Sequence, residues 1–231
     1  KKHKVKRLIH TSTLDVLGYN PTGGSYDEVS GHYNFHNMGY NYGDSKVEAE
    51  IRLRAFNGPD LEVVFIYPGF MVGPYDYTLQ IGRVFFDIQK GKLPACPPGG
   101  GSFCHVREVA KAHVAAVKHG RPGENYLCAG MPETNMPYVE MFGRMAKAIN
   151  AKPVRLVMPK KLFVLYGYVC EWFSGFTKKP PEMNPGQARY MSAPQYAISG
   201  KAINELGYTV PSVEACIEDA LTWYRAEGYE I

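Results

Sequence analysis

The chain has no apolar run long enough to span a bilayer. Its most apolar stretch, "LFVLYGYVCEWFSGF" at 162–176, is shorter than the ~20 residues a spanning helix needs, and it carries Glu171. A buried helix is expected there, with peripheral membrane contact as the alternative. There is no paired-cysteine pattern either. Cys96, Cys104, Cys128, Cys170 and Cys216 are five, an odd number, and none forms C-x-x-C. Reduced thiols in a cytoplasmic setting fit this better than a disulfide frame or a zinc site, so no metal is expected. No signal-peptide pattern is read in the opening residues. Charge of one sign is also scarce. The net charge is +4, and the basic run "KKHKVKR" at the start has no aromatic or basic pattern after it. A solvated segment is expected there, and nucleic-acid binding is not. No internal repeat or low-complexity tract is found.

What is present fits a globular α/β chain. Its 231 residues are 45% hydrophobic and 21% charged, enough for one large domain or two small ones. "VKRLIHTST" (5–13) and "LEVVFIYPG" (61–69) are short β-branched runs suited to buried parallel strands. Between them, "SKVEAEIRLRAFNGPD" has apolar residues in alternation, Val47, Ala49, Ile51, Leu53 and Ala55, which looks like a strand. Ala, Glu, Leu and Arg nevertheless favour helix, and Glu48–Arg52 and Glu50–Arg54 are in the preferred helical order. A helix stopped by Gly58-Pro59 is therefore expected, and strand–helix–strand makes a right-handed crossover the default. Residues 14–41 form a long connection without an element of its own, a pattern common in lids and site loops.

Further on, 106–120 places Val109, Ala112, Ala116 and Val117 on one helical face, and 138–150 does the same with Met141, Phe142, Met145 and Ile149. "ENYLCAG" (124–130) reads as a strand. Residues 199–208 read as a short helix closed by Gly207. Residues 211–229 read as a helix capped by Ser212, with Ile217, Ala220, Leu221 and Tyr224 facing inward.

Tyr42 and Lys46 are the one Tyr–Lys pair at a spacing of four. With 17 tyrosines, about one such pair arises by chance, so the setting must decide. The pair opens the expected helix, and residues four apart share a face. An ammonium beside a phenol is expected to favour phenolate and lower the tyrosine pKa from about 10, giving an acid/base near neutral pH. Ser12 and Thr13, in "HTST", lie where the preceding strand ends, and ligands bind outside the carboxyl ends of parallel strands. The turn expected in "YPGFMVGP" (67–74) offers Pro68, a closely approachable Gly69, and an apolar wall of Phe70, Met71 and Val72.

Taken in order, "HTST…YGDSK…YPGFMVGP…GGGSFCHVREVAKAH" resembles the extended short-chain dehydrogenase/reductase superfamily, the NAD(P)-dependent epimerases, dehydratases and reductases. The nearest likeness is to its dihydroflavonol-reductase and 3β-hydroxysteroid-dehydrogenase-like branch. It runs over nearly the whole chain. It implies part of a Rossmann-like doubly wound parallel sheet over residues 1–73. A smaller, mostly helical substrate domain would occupy 74–231, with 105–130 returning to the core. By the same resemblance, Tyr42 is the catalytic acid/base. Lys46 tunes it and binds the nicotinamide ribose. Thr13, or its neighbour Ser12, holds the substrate oxygen, and Pro68, Gly69, Phe70 and Met71 line the nicotinamide of NAD(P). The loop "PPGGGSFCH" (97–105) would face a small-molecule substrate, with His105 as a contact or a structural residue.

Three departures stand out. Leu14-Asp15 replaces the Asp-Glu that dehydratases of the superfamily carry after the Thr. Val106-Arg107-Glu108 replaces a frequent Val-Asp-Asp. No G-x-x-G-x-x-G or G-x-G-x-x-G occurs. A fragment lacking roughly a hundred N-terminal residues, the Gly-rich half, is expected on that ground. Three functions follow as expectations: an NAD(P)-dependent oxidoreductase on a carbonyl or secondary alcohol, a sugar-nucleotide epimerase, or a non-catalytic binding module. A homodimer is left open.

Overall fold

A computed structural model describes residues 3–231; Lys1 and Lys2 of the basic opening run lie outside the described residues. In chain order the elements are β1 (Arg7–Thr11), α1 (Asn41–Arg54), β2 (Glu62–Pro68), β3 (Phe70–Val72), α2 (Gly82–Gln89), β4 (Gly100–His105), α3 (Val106–His119) and β5 (Asn125–Cys128). Then follow β6 (Asn135–Pro137), α4 (Tyr138–Ala148), α5 (Lys160–Thr177), α6 (Pro185–Tyr190), β7 (Pro194–Gln195), α7 (Gly200–Leu206) and α8 (Val213–Ala226). Two 3-10 turns, Leu14–Leu17 and Pro132–Thr134, complete the list of regular elements.

β1, β2 and β5 form a parallel sheet in that order, with Leu8 opposite Val63 and Ile66 opposite Tyr126. β2 is central, and alternate side chains leave by opposite faces. Val64 and Ile66, with Tyr126, meet Val109, Ala112 and Ala116 of α3 and Ala202 and Leu206 of α7. Val63, Phe65 and Tyr67, with Leu127, meet Leu14, Val16 and Leu17 of the first 3-10 turn and Val47 and Leu53 of α1. Covering on both faces is why β2 reads as an unbroken apolar run. Each fully buried residue of this kind contributes about 1.5–3 kcal/mol of transfer free energy. β1, expected to be buried, is a half-exposed strand that among the described residues pairs with β2 alone.

α1 is helical despite its strand-like alternation, and both expected pairs form, Glu48–Arg52 and Glu50–Arg54. The face it buries is Gly43 and Glu50, with Val47 and Leu53 partly covered, which is the helical period and not the alternate one. In α3, Val117 is exposed, contrary to its expected place on the inner face. In α8, Ser212 accepts from the Ala215 amide as the expected cap.

Two segments expected as loops are strands. The 67–74 turn contains β3, and the glycine-rich 97–105 segment contains β4, which is buried throughout. β3 and β4 pair in parallel, β6 pairs with β4 antiparallel and β7 pairs with β4 in parallel. Glycines suit β4 because its surroundings come too close for side chains. A Cβ at Gly101 would stand 2.4 Å from the Phe70 ring, and one at Gly100 2.6 Å from the Met136 carbonyl. Around these strands α2, α4 and α8 build a second core with Phe85, Ile88, Met141, Met145, Ile217 and Leu221. The largest correction concerns 162–176. It lies within α5, but only Phe163 and Gly167 of that helix are buried, so it is not a core helix.

Candidate active site

The carboxyl ends of β1 and β2 lie side by side, because the two strands pair in parallel register from Arg7–Glu62 to Thr11–Ile66. Thr13 follows β1 at the N-cap of the first 3-10 turn, where its hydroxyl accepts from the Asp15 amide at 3.3 Å. Tyr42 stands in the first turn of α1, half exposed. Lys46, one turn on, donates from Nζ to the Thr11 carbonyl at 3.2 Å and lies 5.8 Å from the centroid of the Tyr42 ring. The start of α1 is fixed by its first helical bond, from the Asp44 amide to the carbonyl of the N-cap residue Tyr40, and from outside by the Tyr33 hydroxyl, which donates to the Asp44 carboxylate.

The expected lowering of the Tyr42 pKa is reversed. Burial raises it first, the negative charge of Asp15 raises it further, and a hydrogen bond with Thr13 acts the other way. Lys46 has its ammonium on a main-chain carbonyl, and the charge that acts on the phenol is that of Asp15.

That anion is a feature the residue pattern alone did not reveal. Asp15 is buried, and its two carboxylate oxygens accept from the hydroxyls of Tyr40 and Tyr190, each at 2.5 Å. Burial pushes the Asp15 pKa up, against the pull of the two phenols. The Tyr40 and Tyr190 rings stack at 4.5 Å between centroids and 12° between planes, with Phe35 packed on both. In the sequence Leu14-Asp15 reads only as a departure from the dehydratase pattern. Nothing in the spacing of Tyr190, 175 residues away, marks it as a partner.

Ser12, the alternative to Thr13, is directed elsewhere: its hydroxyl donates to Glu50 at 3.1 Å. Glu50 also accepts from Tyr67 and Arg54, so Ser12 belongs to a buried network beneath α1. At the end of β2, the Gly69 amide donates to the Cys128 carbonyl, and a Cβ there would meet the Ser102 carbonyl at 2.6 Å. Pro68 is buried and Met71 exposed. The Phe70 ring turns inward against Phe103, Tyr138 and Tyr190. Val72, expected in the same apolar wall, points into the core. His105 caps α3 by accepting from the Arg107 amide at Nδ1, and its Nε2 lies 3.1 Å from Asp219, so its place is structural. The five thiols are free, and burial raises those of Cys96 and Cys104, to about 11 and about 12.

The chain is similar to known proteins over nearly its whole length. The sterol demethylase protein B of Methylococcus capsulatus is 27% identical over 229 residues, covering 97% of this chain and 68% of that protein. A putative dihydroflavonol 4-reductase of Synechocystis is 22% identical, over 99% and 67% respectively. The crystal structure of gox2253 superposes with a TM-score of 0.78 at 25% identity, over 98% of this chain and 68% of that one. The chain thus spans about two thirds of the length of each. The fold is Rossmann-like α/β, and NAD(P) is the cofactor that goes with it. Residues 1–129 match the NAD dependent epimerase/dehydratase family, and the chain belongs to that family.

Proposed function

We propose that the protein is an NAD(P)-dependent oxidoreductase that interconverts a carbonyl and a secondary alcohol, with Tyr42 as its acid/base. One observation carries this reading. Thr13, the Tyr42–Lys46 pair of α1 and the Pro68–Met71 segment come from separate parts of the fold, yet they gather about the carboxyl ends of two adjacent parallel strands. In this reading Thr13 orients the substrate oxygen. Tyr42 gives that oxygen a proton at its hydroxyl as alcohol forms and takes it back in the reverse direction. Lys46 offers a cation to the ribose hydroxyls and stabilises the phenolate left behind.

The residues present fit the nicotinamide end of NAD(P). A phenol and an ammonium on one helical face match a ribose diol, and Met71, in the strand that follows β2, offers an exposed apolar side chain. Gly69 and Phe70 would contribute main chain, since Gly69 has no room for a side chain and the Phe70 ring faces inward. When bound, the cofactor supplies or accepts the hydride. Residues 1–73 with 105–130 would form the cofactor side and the rest of 74–231 the substrate side.

Redox chemistry is favoured over dehydration by the state of Asp15. Asp15 is buried and each of its carboxylate oxygens accepts from a tyrosine hydroxyl, so it is held as the anchor of Tyr40 and Tyr190 and not presented to a substrate. The test is Tyr42→Phe. Turnover of NAD(P)H with a panel of carbonyl compounds should fall by about 10²–10⁴-fold, with NAD(P)H binding kept in a fluorescence titration. Retained turnover refutes the assignment. Isomerisation of sugar nucleotides without net cofactor consumption would assign the same residues to an epimerase.

A further inference from the structure

α5 has two apolar faces. Phe163, Gly167, Cys170 and Ser174 recur every three to four residues and turn inward. A Cβ on Gly167 would lie 2.9 Å from the Asn184 carbonyl, so helix and neighbouring chain meet there backbone to backbone. Leu162, Leu165, Val169, Trp172, Phe173 and Phe176 recur at the same spacing and turn outward. A stripe of this period ordinarily marks the side a helix buries. Here Leu165 is 56% exposed, Trp172 62% and Phe176 69%.

The charges around the stripe are ordered. Lys160 and Lys161 open the helix and Lys178 and Lys179 follow it, all exposed, while Glu171 is the one acid inside it. The outer side offers few free hydrogen-bonding groups. The Tyr166 hydroxyl is directed to Glu182, and the Tyr168 hydroxyl accepts from Arg189. Next to the stripe, a groove of about 440 Å³ continues the apolar surface through Leu156, Met158, Leu162 and Val169. Among the described residues no helix is long and apolar enough to cross a membrane.

We propose that α5 lies in the plane of an anionic lipid surface and seats the protein on it. The stripe enters the boundary between headgroups and acyl chains. The four flanking ammoniums stay at the level of the lipid phosphates, their stems lying along apolar surface. Trp172 is of the residue type that favours that boundary. Charge complementarity selects the lipid: cations at both ends and an apolar middle match a layer that is anionic outside and apolar within.

The test uses purified protein with vesicles of phosphatidylcholine, alone or mixed with phosphatidylglycerol. Co-sedimentation should be at least about tenfold tighter with the anionic vesicles, and weakened by salt. Tryptophan emission should shift to the blue on binding. Trp172 carries that signal because Trp223 is buried, and the shift should vanish in Trp172→Phe. Lys178→Glu with Lys179→Glu should weaken binding by about tenfold or more. Leu165→Ser with Phe176→Ser should abolish it without lowering the melting temperature, since both side chains are exposed. Absence of binding to either vesicle overturns the proposal, and so does wild-type binding by the Leu165→Ser, Phe176→Ser variant. A lipid-free dimer that this variant dissociates also overturns it, and assigns the stripe to a second copy of the chain.

Discussion

Replacing Gly186 with alanine would place a methyl group 2.1 Å from the Gly39 carbonyl oxygen, 2.2 Å from its carbon and 2.6 Å from the Tyr40 nitrogen. All three are main-chain atoms, so no side chain can swing aside. Ordinary contact begins at 3.4 Å, and the 39–40 segment would have to retreat by about 1.3 Å. It is held where it is. Arg189 donates to the Met38 carbonyl, and Tyr40 is stacked on Tyr190 while both donate to Asp15. Overpacking of this kind costs about 1–3 kcal/mol, and the rigid surroundings put Gly186→Ala in the upper half of that range. A chain of this size loses about 2–4 °C of melting temperature per kcal/mol, so a fall of roughly 4–12 °C is expected. Tyr42 lies two residues beyond Tyr40. A displacement of about 1 Å at a catalytic group lowers kcat/KM by about 10²-fold. Gly143→Ala is the control. It sits in the interior of α4 with nothing within 4 Å of its Cβ, and should stabilise the fold by about 0.5–1 kcal/mol with activity unchanged. Thermal unfolding and steady-state kinetics on the two variants separate the effects. Wild-type melting of Gly186→Ala refutes the steric reasoning. A lower melting temperature with undiminished kcat/KM refutes the coupling to Tyr42.

Asp15→Asn removes one of the causes that raise the Tyr42 pKa. Carbonyl reduction needs Tyr42 protonated, so the wild-type rate should hold through neutral pH and fall only as pH rises through a value above about 10. In Asp15→Asn that falling limb should move to lower pH, and a pH profile of kcat/KM with an unmoved limb would remove Asp15 from the account. Met141→Ala, at a fully buried position in the second core, should cost about 2–5 kcal/mol in urea unfolding. A loss under about 1 kcal/mol would mean that this core closes over the gap.

The elements with strong periodicity were legible in the sequence. β1, α1, β2, α3, β5, α4, α7 and α8 all occur within a few residues of their expected places. β3 and β4 were hidden because glycine signals a loop when read locally. Whether Gly100 and Gly101 sit in a strand depends on Phe70 and Met136 closing in from distant parts of the chain. α5 shows a different limit. A stripe of apolar residues marks one side of a helix but not what lies against it. At the site, Thr13, Tyr42 and Lys46 were nominated by spacing and resemblance. The direction of the Tyr42 pKa was not legible, because the fold sets it by burying the phenol and, next, by the charge of the buried Asp15 carboxylate.

The bond between Tyr190 and Asp15 also orders events in time. The two residues are 175 positions apart. At a synthesis rate of about 5–20 residues per second, Tyr190 is made roughly 10–35 s after Asp15. During that interval a nascent chain can pair β1 with β2 and wind α1, but the Asp15 carboxylate lacks one of its two phenols. The proposed acid/base is thus made well before one of the groups that surround it.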